Sequence, residues 1–188
     1  MKHKIAVHKG CVNKGDPQNV ARNWMNIRED LSWLLGWVKA GYPWCATHFI
    51  DKHRRSDNAC GSSLVVIDFD GDTTLDAFWA TQTAKDWCAA TYTSSSHTEG
   101  EHRFRALFPL AIELESTGQH RGAYWLIVNR LLQELGIKEL KDNCGQKPER
   151  LWYGNTKAET KVNDGAHVPD FLLVDIDYDE PAEYTASD

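Results

Sequence analysis

The sequence predicts an α+β fold, and three observations carry that expectation. An apolar run with strand character ends at a pair of aspartates (SLVVIDFD, 63–70). Two further strand-like segments, 89–96 and 103–114, flank a short polar loop. Long stretches of helical periodicity lie before and between them. From Leu64 to Tyr153 the order is strand, helix, strand, strand, helix, strand, a split βαβ (RRM/ferredoxin-like) unit. The residues before it are expected to form a smaller N-terminal α/β lobe.

IAVHKG (5–10) is a candidate short strand and Gly15-Asp16-Pro17 a turn. From Gln18 to Lys39 the apolar residues Val20, Trp24, Ile27, Leu31, Leu34, Leu35 and Val38 recur at helical spacing, which predicts one or two helices closed by Gly41. Tyr42 to Ser63 is mixed, with HRRSDN (53–58) as its polar centre. The strand 63–70 ends at a Gly71-Asp72 turn, and Thr73 to Trp87 reads as a helix capped by Thr73 or Thr74. AATYTSSS (89–96) and RFRALFPLAIEL (103–114) are strands about the loop HTEGEH. Gly118 to Leu135 is a second long helix, with Tyr124, Leu126, Ile127, Leu131 and Leu132 available to face the sheet. A loop centred on Asp142 leads to a short strand RLWYGN (150–155), and DFLLVDID (170–177) is a candidate last strand. The expected organisation is a single domain over 1–177, with a lobe at about 1–60 and a core at about 61–158, followed by a solvated acidic tail or linker at 178–188.

At 188 residues, 41% apolar and 26% charged, the chain has enough apolar material for a full core. No apolar run approaches the ~20 residues of a membrane span, and the N-terminus does not read as a signal peptide. The five scattered cysteines (Cys11, Cys45, Cys60, Cys88 and Cys144) suit reduced thiols, so a cytoplasmic location without a membrane partner is expected. The net charge of −6 is unevenly distributed. Glu159 to Asp188 carries −8, which leaves the first 158 residues at +2, and residues 1–60 alone at +5. A basic body with an acidic tail can still present a positive groove to phosphates.

Chemistry concentrates at the end of the strand 63–70. Asp68 and Asp70 are two apart, so both carboxylates project from one face. Like charges side by side are unfavourable unless a cation sits between them, and Mg²⁺ or Mn²⁺ held by carboxylates and substrate phosphates meets that need. Two solvated aspartates at a strand end are the simpler alternative. DFDGD also resembles the D-x-D-G-T of haloacid-dehalogenase-like phosphatases, in which the first Asp is the nucleophile. Against that reading, the motif begins 67 residues into the chain, and Asp164 and Asp170 make a poor later acidic pair.

In the segment 92–110, YTSSSH is followed by RFRALFPL. Arg103 and Arg105 alternate with Phe104, so both face one side of their strand, and a hairpin brings His97 near them. Two guanidiniums and an imidazole on one sheet face suit a triphosphate. A strand ending D-x-D, a helix, a strand ending S-x-H and then R-F-R-x-L-x-P-L together resemble motifs one and two of the archaeo-eukaryotic primase superfamily, above all plasmid replication primases and phage primase-polymerases. The likeness spans roughly Tyr42 to Asn155.

The resemblance implies a primase-type catalytic core that uses two Mg²⁺ or Mn²⁺ ions. It implies metal ligands at Asp68 and Asp70, with nucleotide contacts at Ser95, His97, Arg103 and Arg105. The third acid of that family is Asp142, with Glu139 as the alternative, and Arg150 fits the arginine that follows it. The implied partners are a single-stranded DNA template and primer, dNTP or NTP, and a helicase or accessory priming domain.

Arg54, Arg55 and Asn58 in the basic loop before the metal strand are candidate template contacts, with a solvated loop as the alternative. Cys45, His48, His53 and Cys60 are zinc-type ligands at irregular spacing without a CxxC pair, and zinc is not expected. The eight tryptophans could stack bases, yet Trp24, Trp33, Trp37, Trp79 and Trp125 fall in helical segments and are expected in the core. The function expected is therefore primase or DNA polymerase activity in plasmid or phage replication. The rivals are a phosphatase using Asp68 and Asp70, and a non-catalytic nucleic-acid-binding module.

Overall fold

A computed structural model describes residues 1–10, 20–117, 120–138, 140–141 and 147–174. The fold is α+β, built on two antiparallel sheets. The five-stranded sheet has the order β4 (His48–Phe49), β5 (Ala59–Asp70), β7 (Arg103–Thr117), β6 (Ala90–Thr93), β8 (Thr160–Val162). The smaller sheet has β1 (His3–Val7) between β2 (Met25–Glu29) and β3 (Trp44–Cys45).

The apolar run of β5 is continuous because both of its faces are covered. Val65, Ile67 and Phe69 pack with Phe104, Ala106 and Phe108 of β7 against α2 (Leu75–Ala80), α3 (Gln82–Trp87) and α4 (His120–Glu134). Leu64 and Val66 point the other way, with Leu107, Ala90 and Tyr92. They meet the small sheet and α1 (Leu31–Lys39) through Ile5, Val7, Leu34 and Val38. The Tyr124 hydroxyl accepts the Val66 N–H at 2.9 Å, pinning α4 to the middle of β5. The even-numbered face of β5 therefore runs from an apolar stretch under the N-terminal elements to Asp68 and Asp70 at its end.

The split βαβ is present. β5 and β6 are both antiparallel to β7, which lies between them, and α2 and α3 form the crossover. Its fourth strand differs from expectation. Residues 150–155 do not form one; Trp152 makes an isolated bridge to Trp44, and the sheet edge beside β5 is taken by β4 instead. At Gly154 an added Cβ would collide with the Gly41 carbonyl carbon, so this segment lies against the turn after α1.

The described part of the expected helical stretch, residues 20–39, also departs from expectation, as strand β2 followed by helix α1. Met25–Glu29 alternates and pairs with β1, and Asp30 starts the helix by accepting the Trp33 N–H at 2.8 Å. Thr73–Trp87 is two short helices. Thr81 is extended (ψ 146°) and caps the second, as Thr74 caps the first. Asp170–Leu172 is a single 3₁₀ turn rather than a strand, and 175–188, including the expected tail, lie outside the described residues. Gly15-Asp16-Pro17 lies outside them too. No helix among the described residues is long and apolar enough to cross a membrane.

The register of β5 against β7 shifts twice, between Cys60 and Leu64, and then runs unbroken from Leu64–Pro109 to Asp70–Arg103. Gly61 at φ +82° supplies the left-handed residue such a bulge needs, and Pro109 has no N–H to give the ladder.

At that end Glu113 of β7 joins the two sheets. It pairs with Lys4 of β1 (3.1 Å) and accepts from Arg28 Nη2 of β2 (2.9 Å). The Arg28 hydrogen bond, reinforced by Lys4, lowers the Glu113 carboxyl to about 2. A folded-state value below the unfolded one gives stability that is present above about pH 4.3 and lost as the pH falls toward 2. Glu113→Gln is expected to cost on the order of 2 kcal/mol at pH 6, with the gap to the parent narrowing to about half at pH 3. Urea unfolding midpoints at the two pH values check this; a constant gap would show that the charge is not the cause.

Candidate functional site

Where the N-terminal elements stop covering the sheet, its face opens into a cleft of about 330 Å³. The β5–β7 register sets Asp68 directly opposite Arg105 and Asp70 opposite Arg103. Arg105 Nε lies 3.2 Å from Asp68 Oδ1, and Arg103 Nε lies 3.0 Å from Asp70 Oδ1. Both Nε–H groups are buried and aim off the hydrogen-bond axis, so the contacts are charge pairs more than aligned hydrogen bonds.

The two pairs differ in wetness. The inner pair is 12% and 15% exposed, the outer 30% and 37%. Arg105 is held between rings, 5.4 Å from the Tyr92 centroid and 5.1 Å from that of Trp152, and its Nη1 donates to the Tyr153 carbonyl at 3.2 Å. Burial works against its charge, but Tyr92 and Asp68 outweigh that and hold it firmly protonated. Arg103 is shared with Glu101 at 2.9 Å.

Ser94, Ser95 and Ser96 form another wall of the cleft, as a turn after β6 whose Ser94 N–H donates to the Arg103 carbonyl. His97 is beside the cleft rather than in its lining. Its Nδ1 accepts the Arg103 N–H at 3.1 Å, and its ring meets His102 edge-on at 5.2 Å, so it braces the arginine strand. Arg54 and Arg150 line the cleft from the other side. Arg54 Nε donates to the Glu149 carbonyl at 3.1 Å, and Arg150 lies 5.8 Å from the Trp152 ring. Arg55 instead pairs with Asp57 in an exposed loop, and Asn58 donates to the His53 carbonyl; neither lines the cleft. Asp142 and Glu139 lie outside the described residues.

The lining thus carries four guanidiniums against two carboxylates, a positive balance that suits phosphates. Two carboxylates on one face also fit a divalent ion whose remaining ligands are phosphates and water. Among the described residues, no group of three His, Cys, Asp or Glu side chains is placed to hold a metal ion. Burial pushes the Cys45 thiol up to about 12, and His48 Nε2 lies 2.9 Å from the Ile27 carbonyl.

Several contributors were not singled out from the sequence. Trp152 and Tyr153 cradle Arg105. Asp72, the last acid of DFDGD, accepts the Asp70 N–H and the Lys141 N–H, both at 2.8 Å, and Lys141 Nζ donates to the Gly71 carbonyl at 2.9 Å. The only local signal for Asp72 is an acid closing a Gly turn. Asp72→Ala removes both acceptors and is expected to lower Tm by about 4–8 °C, with Asp72→Asn, which keeps one, falling between. Thermal unfolding of the two variants checks this, and equal melting of Ala and parent would dismiss the clasp.

No protein-family model matches the chain, and no curated protein does. Among solved structures it is similar to the AEP domain of the cyanophage S-2L primase-polymerase, with a TM-score of 0.49 and 8% identity over 92% of this chain and 86% of that one.

Proposed function

We propose that the cleft holds a nucleoside triphosphate beside a nucleic-acid strand end, and that the chain is a metal-dependent nucleotidyltransferase of the primase or primase-polymerase kind. The observation that carries this reading is the directly opposed pairing of Asp68 with Arg105 and Asp70 with Arg103 at the uncovered end of one sheet face. Carboxylates that could hold a cation lie next to guanidiniums that could hold phosphate, and both are needed when a triphosphate is the substrate. The likeness to primase motifs one and two rests on the same residues.

In this reading Asp68 and Asp70 ligate Mg²⁺ or Mn²⁺, and Asp142, or else Glu139, completes the set. Bound divalent ions would favour attack of a 3′-oxygen on the α-phosphorus and offset the charge of the departing pyrophosphate. Ser95, Arg103, Arg105 and Arg150 bind the triphosphate, and His97 positions Arg103 through its backbone. Arg54 contacts the template, with Arg55 and Asn58 in the loop that carries it. Almost all the remaining catalysis is positioning and fixed charge. Single-stranded DNA with a primer is the proposed partner, in plasmid or phage replication within the cytoplasm, together with a helicase or accessory priming domain.

The test is incorporation of labelled dNTPs and NTPs on single-stranded DNA, with and without primer, in Mg²⁺, in Mn²⁺ and in EDTA. Metal-dependent products are expected, and the primer-free lanes separate priming from extension. DNA binding indifferent to EDTA, with no product, would replace this reading with a binding module. Release of phosphate from phosphomonoesters would replace it with a phosphatase.

A further inference from the structure

Helix α1 buries Leu34, Leu35 and Val38, and its flank carries an aromatic row. Trp33 and Trp37, four residues apart, stack with centroids 5.2 Å apart and planes 17° from parallel. Tyr42 continues the row, 4.7 Å from Trp37. Trp33 is 37% exposed, against the core position expected for it, and Trp37 and Tyr42 are half-buried. Trp37 Nε1 donates to the Pro43 carbonyl at 3.1 Å, which fixes the middle ring, and the space beside Gly36 is open.

The row also leads somewhere. Asn155 N–H donates to the Val38 carbonyl at 2.9 Å, and Gly154 lies against Gly41 and Tyr42, so the Tyr42 end is one residue from Tyr153 in the cleft wall. Lys39 and Lys157 are exposed near that end.

We propose that Trp33, Trp37 and Tyr42 form a stacking track for single-stranded DNA that continues the cleft outward. The proposal deepens the nucleotidyltransferase reading by assigning a path to the unpaired template. Flat aromatic rings, two of them already stacked and the third tilted 37° to its neighbour, accept any base, because every base has a π-face, and the neighbouring lysines answer the phosphates. An aromatic row serving only the core would be covered along its length, and this one opens toward Trp33.

The test is the affinity of the chain for labelled oligothymidine, by fluorescence anisotropy at fixed salt. Trp33→Ala is expected to weaken binding about tenfold, and Trp33→Phe to retain most of it. Affinity for blunt duplex DNA should not change. Trp33 is exposed enough that its variants should melt with the parent, which separates lost stacking from lost fold. Parent-like oligothymidine binding by Trp33→Ala overturns the track. A parent dimer that Trp33→Ala dissociates, with single-strand affinity unchanged, would reassign the row to self-association. A track that responds to Trp33→Ala in a chain that incorporates no nucleotide would keep this inference and remove the enzymatic reading. Incorporation with parent-like binding by Trp33→Ala would do the reverse.

Discussion

Asp68→Asn is expected to lower metal-dependent nucleotide incorporation by about 10³-fold while leaving a folded protein. The substitution is isosteric and keeps an oxygen toward Arg105, so the packing between Tyr92 and Trp152 survives. What it removes is the charge that a divalent ion requires. It also leaves the Arg105 guanidinium, 12% exposed, without its anion, held by the Tyr153 carbonyl and two rings. That loss should cost about 1–2 kcal/mol and a few degrees of Tm. Incorporation assays run beside thermal melts separate the two effects. A variant that folds and retains parent activity would remove Asp68 from any metal site.

The second large effect is a contrast between the two arginines. Arg105→Ala removes a charge partner of Asp68, which is only 15% exposed, and empties the space between Tyr92 and Trp152. Breaking a buried charge pair by removing one member costs about 3–5 kcal/mol, so Tm should fall by roughly 10 °C or more. Arg103→Ala breaks a wetter pair with Asp70 and Glu101 and should cost under about 1 kcal/mol. Its expected consequence is kinetic, a KM for nucleotide raised about tenfold or more through loss of a charge-assisted phosphate contact. Melting curves and steady-state kinetics on both variants check the contrast. Equal stability loss would mean that the cleft has no dry inner pair.

The site was legible where two-residue periodicity carries the chemistry. Asp68 and Asp70, like Arg103 and Arg105, share a face because strands alternate, and the hairpin order puts the two strands side by side. Strand β2 was not legible, because Ile27 falls into helical step with Val20, Trp24 and Leu31, and only pairing with β1 overrides that spacing. The aromatic, apolar stretch Leu151–Tyr153 looks like a strand and is used instead as a rest for guanidiniums. Asp72 and Lys141 are 69 residues apart, and no local pattern announces a contact between a side chain and a backbone so distant. Trp33 fits an amphipathic helix, but the six apolar side chains of α1 are more than one buried face accommodates.

The position of the bulges on β5 has a consequence for how this chain can tolerate change. Slack in the ladder sits between Cys60 and Leu64, next to a left-handed glycine, and beyond it every rung is in step up to Asp70–Arg103. An insertion or deletion near residue 61 can be absorbed there, whereas one residue lost from within 103–108 would turn Phe104 toward the aspartates and swing both arginines into the core. Descendants of this sequence should therefore vary in length at one end of the long strand pair and hold it constant at the other.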